Sequence, residues 1–174
     1  LEAEDVTDAS TRLSPQQLVK MLQNASRAIG AADTAFLLGQ QLLPGALGAV
    51  SQALVHAPSL RHALQILVRH QPRLTPLLVP RLMSEGPMSV LYWMESFSAP
   101  ALRAQLVEMH MAAVVSMTRW LGGERLPWRF CFNRAQPRHA EQHAVHLGTE
   151  LRFNCQFDAL LIESQWLDRP WPRG

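Results

Sequence analysis

The apolar positions of this chain recur at helical spacing first and at strand spacing later. Leu18, Met21, Leu22, Ala25 and Ile29 fall three and four residues apart, the signature of one helix face. Ser14-Pro15-Gln16-Gln17 marks the start of that helix. Ser14 can cap it, Pro15 suits the first helical position and Gln17 can complete a capping box. Gly30 ends it. A second short helix is predicted after Asp33, carrying Phe36, Leu37 and Leu38 toward Pro44-Gly45. A third covers residues 46–57 with Leu47, Val50 and Leu54 on one face. A fourth is capped by Ser59, turns Leu60, Ala63, Leu64 and Leu67 inward and closes at Pro72.

The period then shortens to two. Residues 77–84 and 88–95 read as two strands around Glu85-Gly86-Pro87, a hairpin signal. Pro76 and Pro80 place the first at a sheet edge, because proline cannot donate to a ladder. In the second, Val90, Tyr92 and Met94 face one way and Leu91 and Trp93 the other. Both sides are apolar, which predicts a strand covered on both faces.

Residues 100–121 form the longest predicted helix. Leu102, Leu106, Met109, Ala113, Met117 and Trp120 make one stripe, and Val107, Met111, Val114 and Leu121 widen it beyond a single face. Such a helix is central, or packs on a second subunit. Trp128, Phe130 and Phe132 alternate with Arg129 and Cys131 as a further strand. A helix over 137–147 and short strands over 151–153 and 159–163 complete the pattern. The expected fold is α+β: a helical N-terminal part, then a small, mainly antiparallel sheet packed on a long central helix. Residues 1–12 are polar and patternless and read as a flexible arm; 13–174 read as a single domain.

Composition narrows the function classes. With 174 residues, 48% apolar and 17% charged, the chain must bury a sizeable core. The net charge of +2 comes from scattered arginines, Lys20 being the sole lysine, so no basic stripe for nucleic acid forms. The acidic LEAEDVTDAS opening lacks a signal-peptide layout, and polar residues interrupt residues 102–121. A cytoplasmic protein that does not span a membrane is expected. Cys131 and Cys155 read as buried thiols in strand-like segments, with a redox role as the alternative.

The candidate chemistry is sparse. His139, His143 and His146 in HAEQHAVH could share a helix face and hold zinc or nickel; the bland reading is a surface helix covering the sheet edge. Ala140 stands where a metalloprotease needs glutamate after the first histidine. His110, flanked by Met109 and Met111, reads as a core histidine, a polar contact in a ligand pocket, or a haem ligand. Trp93, Trp128, Phe130, Phe132 and the methionines, Met83 and Met94 among them, suit either an adaptable apolar cavity or a plain core. GxSxG elbows and Gly-rich phosphate loops are absent, so no enzyme and no cofactor are expected.

Segments in order along the chain resemble the N-terminal, arabinose-binding-type effector domain of AraC/XylS-type transcription regulators. They are the helical block of residues 38–67, the two strands with the long helix after them, and Pro137, His139, His143, Gly148 and Phe153. The last is a strand over 158–162 closed by residues 167–172. His143 stands where that family typically has tyrosine, and His146 replaces an apolar residue. The helices-first order differs from the cupin-like barrel of the arabinose regulator itself.

The resemblance implies a small-molecule pocket, a homodimer and control of a C-terminal helix-turn-helix pair. That pair is absent from this chain, which reads as an effector domain cut at the linker after Pro172. The Met- and Trp-rich interior suits a largely apolar effector entering between the long helix and the sheet, against Trp93, His110, Met109, Tyr92 and Phe130. The alternatives are a dimerisation-only scaffold and a metal-binding domain using His139, His143 and His146.

Overall fold

In the computed structural model, which describes residues 12–43, 45 and 47–171, the helical half comes first. It comprises α1 (Pro15–Ile29), α2 (Thr34–Leu42), α3 (Ala49–Val55) and α4 (Leu60–Leu74). The hairpin β1 (Leu78–Glu85) and β2 (Met88–Glu95) leads into the long α5 (Pro100–Gly122). After it come β3 (Arg129–Cys131), α6 (Glu141–His146), β4 (Leu151–Arg152) and β5 (Asp158–Glu163), then a short 3-10 turn at Ser164–Trp166 that sequence pattern had not indicated. The arm expected over residues 1–12, apart from Arg12, lies outside the described residues, as do Pro44, Ala46 and Pro172.

Local chemistry explains the boundaries. Ser14 and Gln17 form the reciprocal capping box, the Gln17 amide donating to Ser14 Oγ at 3.2 Å and the Ser14 amide to Gln17 Oε1 at 2.9 Å. Ser59 Oγ caps α4 by accepting from the His62 amide at 3.3 Å. Pro72 does not close α4, contrary to expectation; the helix runs two residues further, to Leu74. Proline's fixed φ is itself helical, and one lost hydrogen bond in a last turn is tolerated. The helix predicted from residue 137 starts only at Glu141, leaving His139 in an exposed turn.

The sheet order is β1-β2-β5-β3-β4, antiparallel except for the β3–β4 pair, so Pro80 sits on an edge strand as expected. Its inner face aligns Leu82, Leu91, Leu160 and Phe130 across four strands, with Pro80, Trp93 and Asp158 in the next row. This face and the helices share one core. The long helix is central: residues around its circumference, from Leu102 and Leu106 to Val114 and Leu121, are buried.

Helix α2 lies against α5 at unusually close range. A Cβ on Gly39 would stand 2.2 Å from the Met109 carbonyl oxygen, so only glycine permits this approach. Glycine therefore also sets how Phe36, fully buried one turn earlier, meets the core. No residue of α1 is buried, and Met21 and Ile29 stay exposed. Its described pin to α5 is a 2.6 Å hydrogen bond from Gln105 Nε2 to Ser26 Oγ.

The C-terminal residues fold back on the α3–α4 corner. The Trp171 amide donates to the Pro58 carbonyl at 3.1 Å, and the Arg61 amide to that of Leu167 at 2.8 Å. Arg61 also grips Asp168 with two guanidinium nitrogens at 2.5 and 2.9 Å. Among the described residues no helix is long and apolar enough to cross a membrane.

Candidate functional site

The outer face of the sheet is apolar and, among the described residues, carries no helix, so β2 is covered on one side and not on both. Register aligns Met83, Val90 and Leu161 in one row and Tyr92, Ala159 and Cys131 in the next. Ala159 is small between two larger neighbours, and the floor is hollow there. Phe157 stands at the rim, 59% exposed, with its ring 6.0 Å from that of Tyr92. The resulting groove has a volume of about 380 Å³ and is lined by Met83, Val90, Tyr92, Cys155, Phe157 and Leu161, among others. Small-molecule sites typically occupy about 300–1,000 Å³, and this groove falls within that range.

Two smaller hollows do not. A cleft between α1, α2 and α5, lined by Leu22, Ile29, Leu38, Leu106, Glu108 and Met109, holds about 100 Å³. A hollow beside His110, Thr75 and Gln71 holds about 20 Å³, room for roughly one water.

The five residues expected to gather around an effector are distributed over separate places. Trp93 and Phe130 are core, 2% and 1% exposed. His110 is buried beside Trp93, ring centroids 6.3 Å apart. Met109 lines the helical cleft and Tyr92 the outer groove. Phe157 and Leu161 were missed as groove residues. The signal that points to them is the double-sided apolarity of β2 and β5.

His110 has a definite tautomer. Its Nδ1 lies 2.6 Å from the Leu106 carbonyl oxygen, which can only accept, so Nδ1 carries the proton. Nε2 is then free to accept from the Thr75 hydroxyl at 3.4 Å. Burial pushes the imidazole below its ordinary pKa, against a smaller upward pull from the Leu106 hydrogen bond. The unfolded chain therefore takes up the proton first as pH falls below about 6.5, and stability drops from there downward. A urea midpoint measured at about pH 7 and again at about pH 5 should fall by more in the wild type than in His110→Gln, which cannot titrate. Equal falls would refute the burial argument.

The histidine trio is not gathered into one ligand set. His139 is exposed, while His146 Nδ1 meets Gln40 Nε2 at 3.0 Å and its ring stacks on Phe36. His143 is buried among Phe36, Phe132 and Phe153, with centroids 5.0, 5.3 and 5.6 Å away. Among the described residues no cluster of three or more His, Cys, Asp or Glu could hold a metal.

His143 instead serves a buried polar group. Its Nε2 lies 3.0 Å from Glu108 Oε1, and Arg134 Nη2 bonds the same oxygen. Burial alone would raise the Glu108 pKa. The hydrogen bonds from His143 and Arg134 and the guanidinium charge outweigh it and hold the carboxyl below its usual range. Nε2 is also 2.8 Å from Arg134 Nη2, and one nitrogen cannot both donate to the carboxylate and accept from the guanidinium. The lowered carboxyl fits the donating form, and Nδ1 on the other side of the ring is buried and, among the described residues, without a partner.

A family model described as the arabinose-binding domain of AraC transcription regulators, N-terminal, matches residues 1–171. The chain belongs to that family. It is a regulatory domain family of transcription regulators, not an enzyme family. Comparison with curated proteins finds no match. Among solved structures, the transcriptional regulator CdpR from Pseudomonas aeruginosa is similar, with a TM-score of 0.68 and 13% identity. The alignment covers 93% of this chain and 53% of that one, so this chain spans about half the length of that regulator. At this identity the likeness is one of fold, and it agrees with the helices-first α+β architecture expected for this arabinose-binding-type domain.

Proposed function

We propose that this domain senses a small, largely apolar effector and passes the signal to a DNA-reading part of the same regulator. The observation that carries the reading is the outer-face groove, which combines adequate volume, an apolar lining and direct access from solvent. An effector settling against Tyr92, Leu161 and Phe157 replaces water over the open sheet face. It shifts the balance of two domain arrangements only by its difference in affinity for them. The domain works as a homodimer in the cytoplasm, and DNA is contacted through helix-turn-helix modules rather than through this domain. Arabinose is a poor fit, because a sugar needs several hydrogen-bond partners and the groove offers few.

Binding of an environment-sensitive apolar dye, N-phenyl-1-naphthylamine, tests this. Leu161→Glu puts a charge on the groove floor and should weaken dye binding at least about tenfold, a charge next to apolar ligand surface costing more than 1.4 kcal/mol. Leu161 is half-buried, so the melting midpoint should move little. Unchanged dye affinity in Leu161→Glu would sink the assignment.

A dimerisation-only scaffold is the second reading. It is favoured by the exposure of Met83, Met94 and Phe157, each more than half exposed, on the same face. Light scattering separates the two: a wild-type dimer that becomes a monomer in Leu161→Glu, with no dye bound by either, supports the scaffold.

A further inference from the structure

The groove floor holds the chain's two cysteines, Cys131 and Cys155, which come from different segments. Both are partly exposed, contrary to the expectation of buried thiols. Cys131 points outward because its neighbour Phe130 fills the core, and the side chain opposite it is the small Ala159. Cys155 is brought back to the same place by a deliberate turn. Asn154 adopts φ 58°, the only left-handed non-glycine backbone among the described residues. After it the Cys155 amide donates to the Phe132 carbonyl at 3.0 Å. The Cys155 thiol then lies 3.6 Å from the carbonyl oxygen of Arg152, the register partner of Cys131.

We infer that Cys131 and Cys155 form a two-electron dithiol site on the groove floor, closed to an intramolecular disulfide by low-molecular-weight disulfides such as glutathione disulfide. The inference does not depend on the groove holding an effector. Its chemistry is two successive exchanges. The Cys155 thiolate attacks one sulfur of the small disulfide, breaking its S–S bond, forming a mixed disulfide and releasing one small thiolate. The Cys131 sulfur then attacks Cys155 Sγ and expels the second small thiolate. The two protons lost by the protein pass through solvent to the released thiolates. Two protein thiols are oxidised by two electrons, and one small disulfide is reduced to two thiols.

The order of attack follows from the surroundings. Burial, and after it the hydrogen bond and charge of the adjacent Cys155, push the Cys131 thiol up to about 11. Cys131 is thus almost wholly protonated near neutral pH, and the first attack belongs to Cys155. Both thiols line the floor of one groove, and the Cys155 thiol stands against the backbone of Arg152, which pairs with Cys131 in the β3–β4 ladder. Closing the bond would tie β3 to the turn after β4 and reshape the floor between Tyr92 and Phe157.

The 174-residue chain, reduced and then equilibrated without oxygen in a ladder of glutathione to glutathione disulfide ratios, tests this. Each sample is acid-quenched, unfolded, alkylated with N-ethylmaleimide and weighed intact. The expected result is a single transition in which both alkylations vanish together, with native circular dichroism in the unquenched oxidised sample. Cys131→Ser should stop at a glutathione adduct on Cys155, and Cys155→Ser should form its adduct at least several-fold more slowly. Four results would each overturn the inference: both thiols alkylated throughout, a wild type that stops at a mixed disulfide, a covalent dimer, or a disulfide gained only with loss of native dichroism. A disulfide that forms while the apolar dye fails to bind would remove the effector groove and leave the dithiol site standing.

Discussion

Trp93→Ala should lower the unfolding free energy by about 4 kcal/mol, the range for deleting a buried indole and leaving part of its volume empty. Trp93 is among the largest fully buried side chains, set between Pro80 and Asp158 in the sheet and packed near His110. A domain of this size has about 5–15 kcal/mol in total, so the variant should melt far below the wild type. The indole Nε1 is buried without a partner among the described residues. That orphan donor costs about 1–3 kcal/mol, and it sets the sign of a second variant. Trp93→Phe removes the donor along with some volume, and should be much milder than alanine. Urea denaturation of both variants checks the pair. An alanine variant with the wild-type midpoint but altered dye binding would mean that Trp93 faces an effector after all.

Glu108→Ala is expected to cost about 3 kcal/mol, because the loss of one buried partner strands the charge of the other. Glu108 is 8% exposed, and Arg134 and His143 both converge on its Oε1. Three elements are joined there: α5, the segment after β3, and α6. With its folded pKa held below the unfolded value of about 4.3, the carboxylate contributes stability that is complete above that pH. That contribution is lost as pH falls through the folded value. Glu108→Gln should therefore be less stable than wild type near neutral pH, with the gap closing in acid. Thermal midpoints followed down to about pH 3 measure this. A gap that stays constant would show that the carboxylate charge contributes nothing.

Much of the fold was legible along the chain because its causes are local. The Ser14–Gln17 box, the Ser59 cap and the stop at Gly30 act within one helical turn. The apolar periods of α4 and most of α5 identified buried faces that pack as expected, whereas Trp120 of the α5 stripe is exposed and β2 is buried on one face instead of two. Pro80 marked an edge strand because a missing N–H is a property of one residue. Local rules failed where neighbours in space competed with them. Pro72 was kept inside α4, and the helix carrying His143 began only at Glu141, so the histidine face never formed.

The site depended on contacts that no spacing encodes. Sequence by itself determined that this chain is a helices-first α+β domain of an AraC-type regulator, since periodicity, caps and motif order are written one residue after another. Only the tertiary structure decided which apolar residues are core and which are surface. Trp93 and Tyr92 are neighbours of similar chemistry, yet the pleat sends one into the core and the other to the open groove, and the placement of the helices decides which side is covered. Structure alone also set Glu108 against Arg134 and His143, and Cys131 beside Cys155. Each of these meetings joins segments distant in sequence, and long-range packing is what brings them together.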